Sequence, residues 1–139
     1  MKKHQSGIAL LEAMLATLIL AIGLVGAIGL QAKAYSLLSG AGARAEATIA
    51  AEKLIGVMNN DQANIAAYNL AAGGAPGAAL QNWYDETRIL IPNAAITVAT
   101  GPAAAGIAGS KVVVSISWIR KTNEPTNSHT VTAYIAPST

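Results

Sequence analysis

From Ile8 to Leu30 the chain runs through 23 residues with a single ionisable group, Glu12. At about 1.5 Å per residue, a helix of that length crosses a bilayer core of about 30 Å. From Gln31 to Met58 the pattern changes but stays helical. The stretch is rich in Ala, with Leu37, Leu38, Ile49, Leu54, Ile55 and Met58 three to four residues apart in places, and Arg44, Glu46, Glu52 and Lys53 supply a polar side. Gly40 and Gly42 each weaken a helix by about 1 kcal/mol relative to Ala, which marks them as a place for a bend. The pattern predicts one long helix over 8–58, amphipathic in its outer half.

Asn59, Asn60 and Asp61 are helix-stop and turn residues. A short helical piece is expected over 62–70, and a loop over 71–78, where Gly73, Gly74, Pro76 and Gly77 cluster. Leu80, Trp83, Tyr84, Leu90 and Ile91 fall close to helical spacing and predict a second helix over 79–91, ended by Pro92. The remainder alternates with period two. Strands are predicted over 96–100, 111–119 and 129–135. Val112, Val114, Ile116 and Trp118 share one face, and Val131, Ala133 and Ile135 lie opposite Thr130, Thr132 and Tyr134. The polar run RKTNEPTN joins the last two as a hairpin loop. The expected fold class is α+β: a long amino-terminal helix packed on a small antiparallel sheet of three or four strands. An amphipathic helix and a one-faced sheet each supply the surface the other must bury.

Composition sharpens the reading of the first third. The chain is 53% hydrophobic and 12% charged, against about 25% charged for an ordinary soluble domain. Much of that shift lies before residue 31, as a membrane segment requires. The apolar stretch exceeds the 7–15 residues of an ordinary secretory signal and carries a carboxylate near its start. Lys2 and Lys3 precede it, which places the amino-terminal end in the cytoplasm and everything after Leu30 beyond the membrane. Nine basic side chains against seven acidic ones give a net charge of +2; without Lys2 and Lys3 the two counts are equal. No basic stripe remains after residue 7 beyond Arg120–Lys121, which argues against nucleic acid as a partner. The absence of cysteine excludes a disulfide or a thiolate metal site.

The residues Gly7-Ile8-Ala9-Leu10-Leu11-Glu12, followed by a long apolar run, resemble the class III signal of type IV pilins and pseudopilins. The resemblance implies a leader over 1–7, cut after Gly7 by a prepilin peptidase, and N-methylation of the new terminus, Ile8. Ile8 stands where the family usually has Phe. The implied divisions are a membrane and assembly helix over 8–30, the periplasmic half of that helix over 31–58, and a globular pilin head over 59–139. Within the class, Leu11-Glu12, the run Ala21 to Gly26, Leu30-Gln31, and the strand Val114 to Trp118 are similar to PilV-type minor pilins. That likeness implies a structural subunit of the type IV pilus, at its initiation or tip complex. The implied partners are other pilins and minor pilins, the prepilin peptidase, the assembly platform and the inner membrane. A minor pseudopilin of a type II secretion system, built on the same helix, is the alternative; co-purification with pilus or secretion components separates the two.

A carboxylate at membrane depth costs about 2.5–3.5 kcal/mol on insertion scales and marks a partner or a pathway. Glu12 lies about 6 Å along the helix from Ile8. The expectation is that Glu12 pairs with the freed amine of Ile8 on an adjacent subunit and sets the axial register of assembly. Ala9, Ala13, Thr17 and Ala21 recur every fourth residue, either as a stripe for close helix packing or as part of an Ala-rich span. Gly23, Gly26 and Gly29 are read either as a loosened stretch or as packing glycines.

Nothing in the pattern points to an enzyme or to a cofactor. His4 and His129 are far apart, and His4 leaves with the leader, so no histidine metal site is expected. Asp85 and Glu86 are adjacent on a predicted helix and are read as solvated. Gly101 and Gly106 match the outer glycines of a phosphate loop, but Ile107 and Ala108 stand where Lys and Ser or Thr belong. Trp83 and Trp118 are read as core residues rather than ligand-stacking platforms.

Overall fold

The computed structural model describes residues 6–120 and 123–137. Lys2, Lys3 and His4 of the expected leader, and Lys121 of the basic pair, lie outside the described residues. The elements in chain order are α1 (Ser6–Asn60), the 3-10 helix η1 (Gln62–Tyr68), α2 (Ala78–Leu90), and strands β1 (Ala95–Pro102), β2 (Ser110–Trp118) and β3 (Asn127–Ile135). The expected α+β class is what the chain adopts: α1 packs on a three-stranded antiparallel sheet of order β1-β2-β3. The chain divides into two compact units, Met1–Ser39 and Gly40–Thr139.

The second unit holds the core. Its sheet has one apolar face because the register keeps like residues together. Val98 pairs with Val114 and Val114 with Val131; Ile96 pairs with Ile116. Val98, Val112, Val114 and Ile116 are fully buried on the face toward α1. The helix presents Ala47, Ala50, Ala51, Leu54 and Met58 to them, a single stripe at spacings of three and four. Three of those five are alanines, so the bulky β-branched residues of this layer come from the strands. The larger apolar residues expected on the packed face behave differently. Ile49 is 59% exposed, and in the first unit Leu37 and Leu38 are 65% and 66% exposed. Two residues from both Ala47 and Ala51, Ile49 lies about 160° around the helix from each, so helical geometry turns it away from the sheet.

α2 fastens to α1 at two points one turn apart. The Trp83 indole Nε1 donates to the Ala50 carbonyl at 2.8 Å, and Lys53 Nζ reaches both carboxylate oxygens of Glu86 at 2.6 and 2.7 Å. Trp83 is 7% exposed and Trp118 4%, so both indoles are core residues. Glu86, expected to be solvated, forms this cross-helix ion pair at the surface, where such pairs contribute about 0–1 kcal/mol. Asp85 accepts from Gln81 one turn back. Leu90, expected on the buried face of α2, is half-exposed, and Thr87 is buried in its stead, its hydroxyl donating to the Trp83 carbonyl at 2.8 Å. That internal bond removes the penalty for burying a hydroxyl.

Two glycines have definite reasons. Gly40 lies within α1, and the Arg120 side chain lies against the space a Cβ would fill, with Nη1 2.8 Å from it. Gly109, with φ +112°, turns the chain into β2, where a Cβ would run into the Ile135 carbonyl. In the segment GPAAAGIAGS, read as a flexible loop, Gly101 and Pro102 belong to β1 and Ser110 to β2, and 103–109 is a folded turn: the Ala103 N–H donates to the Gly109 carbonyl at 3.1 Å and the Ile107 N–H to the Ala104 carbonyl at 2.9 Å.

Candidate functional site

The site residues expected from the sequence all fall on the first part of α1. Gly7 is in its first turn, and Ile8 follows within the helix. Ile8 is 70% exposed, and Ala9, Glu12, Ala13, Thr17 and Ala21 are all exposed. Helical spacing puts Ile8 and Glu12 on one face a turn apart, and Ala9, Ala13, Thr17 and Ala21 on one continuous line. The Thr17 hydroxyl donates to the Met14 carbonyl at 2.9 Å. Its polar group is thereby satisfied within the helix, leaving a methyl-like surface at that position. Gly23, Gly26 and Gly29 lie within the same uninterrupted helix, with open space around each.

The apolar residues of this segment face outward on every side. Leu10, Leu11, Met14, Leu15, Leu18, Ile19, Leu20 and Ile22 are all more than half exposed. A helix hydrophobic all round requires an apolar environment, either lipid or other helices. By length and composition α1 is long and apolar enough to cross a membrane. Glu12 is the polar exception, and among the described residues it has no hydrogen-bond or ion-pair partner. Its neighbour one turn back, the Ile8 nitrogen, is an amide while the Gly7–Ile8 bond is intact; cleavage there converts it to an amine.

A polar cluster that the sequence pattern does not reveal lies where α1 ends. Asp61 accepts from Asn64 Nδ2 at 2.7 Å and from the Tyr68 hydroxyl at 2.8 Å. The spacing of seven residues crosses a kink at Asn64, so neither helical nor strand periodicity signals it. Burial raises the Tyr68 phenol above its ordinary value of about 10, helped by the hydrogen bond to Asp61 and by that carboxylate's charge. A raised pKa makes the folded state hold its proton more tightly than the unfolded chain. The contribution is therefore complete below about pH 10 and is lost as pH climbs through the folded pKa. Tyr68→Phe is expected to cost about 0.5–1.5 kcal/mol at pH 8 and to shrink the stability loss between pH 9 and pH 11, measured as urea midpoints.

Elsewhere the surface has open hollows. One of about 400 Å³ lies beside Asn59, Asn60, Asp61, Gln62 and Ala63, and one of about 430 Å³ beside Asp85, Arg88, Ile89, Pro92 and Asn93. Neither is lined by Ser, Thr, Cys, Lys or His. No three His, Asp or Glu side chains come together among the described residues. His129 sits on β3 opposite Ile116.

A scan of the chain against protein-family models finds no match, and the same holds for comparison with curated proteins and with solved structures.

Proposed function

We propose that this chain is a structural subunit of the type IV pilin class, a minor pilin that anchors in the inner membrane by α1 and later joins a pilus. The observation that carries the reading is a single one. Over 8–30 the first part of α1 is apolar on all sides and bears one carboxylate, Glu12, one turn beyond a Gly7–Ile8 junction. In the membrane the helix is the anchor, and in the fibre it is the core, so both states satisfy the same exposed apolar surface. Glu12 then has one natural counter-charge, the amine that cleavage creates at Ile8 of a neighbouring subunit. Staggers that leave the carboxylate unpaired in an apolar core are penalised, which makes the pair a register device. The head, with its own core of α1, α2 and sheet residues, stays on the outer side of the membrane, in the periplasm.

The test is the mass of the mature amino terminus in cells with and without a prepilin peptidase. With the enzyme, the chain is expected to begin at Ile8 and to be one methyl group heavier than the bare sequence. Without it, residues 1–7 are retained. A mature chain beginning near residue 33 would overturn the reading, because the apolar helix would then be a removed export signal.

A further inference from the structure

The two edges of the sheet differ. The β1 edge is occupied: Leu70 bridges Val98 with two backbone hydrogen bonds, at 2.8 and 3.0 Å, and Asn69 Oδ1 accepts from the Thr100 N–H. The β3 edge has no such cover among the described residues. In an antiparallel ladder alternate residues turn N–H and C=O away from the neighbouring strand, so β3 presents a row of unpaired backbone groups. The nine residues Asn127–Ile135 include no Lys, Arg, Asp, Glu or Pro, the residues that usually blunt an open edge. Side-chain burial follows the same asymmetry. Val112, Val114 and Ile116 of β2 are fully buried, whereas on the same face of β3 Asn127, His129, Val131 and Ala133 are only half-covered and Ile135 alone, at the strand's end, is buried. Both the backbone ladder and the apolar layer stop one strand short.

We propose that the β3 edge is a docking surface for an extended segment of a different protein, which adds a fourth strand to the sheet. The edge defines the chemistry of its partner. The segment pairs through its backbone and carries uncharged, apolar residues at every second position, to lie beside Val131 and Ala133. A charge on that face would be half-buried, and β3 carries no Lys, Arg, Asp or Glu to meet it. A second copy of this chain is a poor occupant. Its β1 edge is blocked by Leu70. Antiparallel pairing of β3 with β3 has its two-fold axis normal to the sheet and would run the two sheet-packed helices in opposite directions, which two subunits anchored alike in one membrane cannot do. The proposal does not rest on the processing and methylation of Ile8, and its test reads neither.

The test uses the full chain in detergent micelles and, as probe, a fluorescent peptide with the sequence of β2, SKVVVSISW, which already pairs with the other side of β3. Saturable binding is expected. N-methylation of one alternate set of peptide residues should weaken it about tenfold or more, and methylation of the other set should leave it intact, because only one set faces the edge. Val131→Lys, which points a charge into the half-covered layer, should weaken it to a similar degree under conditions where the variant's own unfolding curve shows the head still folded. No binding, equal binding by the two methylated peptides or by a scrambled one, or a β3–β3 disulfide dimer from Thr132→Cys in this otherwise cysteine-free chain would each overturn the proposal.

Discussion

Trp83→Ala is expected to lower the stability of the head by about 3–5 kcal/mol, the range for removing a buried aromatic side chain. Folded domains are stable by only about 5–15 kcal/mol, so the loss is a large share of the total. The reason lies in what Trp83 joins. Its ring fills the space between α2 and α1, and its Nε1 bonds the Ala50 carbonyl, in the middle of the alanine stripe that seats α1 on the sheet. Trp83→Phe separates the two contributions: it keeps most of the apolar bulk and gives up the hydrogen bond, worth about 0.5–1.5 kcal/mol. Urea unfolding of the full chain in detergent, followed by fluorescence of the remaining Trp118, ranks the three proteins. An alanine variant within about 1 kcal/mol of the parent would show that α2 is only loosely attached.

The second large effect belongs to the proposed assembly pair. Glu12→Gln is expected to leave membrane insertion and processing intact while reducing incorporation into sheared fibres by about a hundredfold or more. Breaking a buried ion pair by removing one partner costs about 3–5 kcal/mol, and each 1.4 kcal/mol is a factor of ten. The amide has nearly the same shape, so packing changes little and the charge is isolated as the variable. Glu12→Asp should recover part of the incorporation, because it keeps the charge on a shorter side chain. Quantitative immunoblots of membrane and fibre fractions read both variants. Equal incorporation of the Gln variant would remove the register role from Glu12.

Much of this architecture is written in local pattern. The apolar run to Leu30 and the period-two alternation of Val112, Val114, Ile116 and Trp118 need no tertiary knowledge, because helix and strand periodicities are properties of the backbone itself. The candidate site at Gly7, Ile8 and Glu12 is legible for the same reason: its residues are neighbours on one helix, so sequence distance is spatial distance. The boundaries also followed local chemistry, with α1 leaving the helical path after Asn60 and α2 ending before Pro92.

Other features depended on what approaches what. Ala47, Ala50 and Ala51 are unremarkable in an alanine-rich segment; they became the packed stripe because the sheet covers their side of α1 and leaves the opposite side, with Ile49, exposed. Thr87 is buried where Leu90 is half-exposed, and its hydroxyl is satisfied by the carbonyl one turn back. The side chain that lies against Gly40 is that of Arg120, eighty residues away. The inequality of the two sheet edges is of the same kind, since it follows from Leu70 reaching Val98 and from nothing within β3 itself. The sequence alone determined which segments are helix or strand and where the lone carboxylate of the apolar stretch lies. Only the tertiary structure decided which faces are buried and which edge is left open, because those depend on contacts between residues that local periodicity cannot connect.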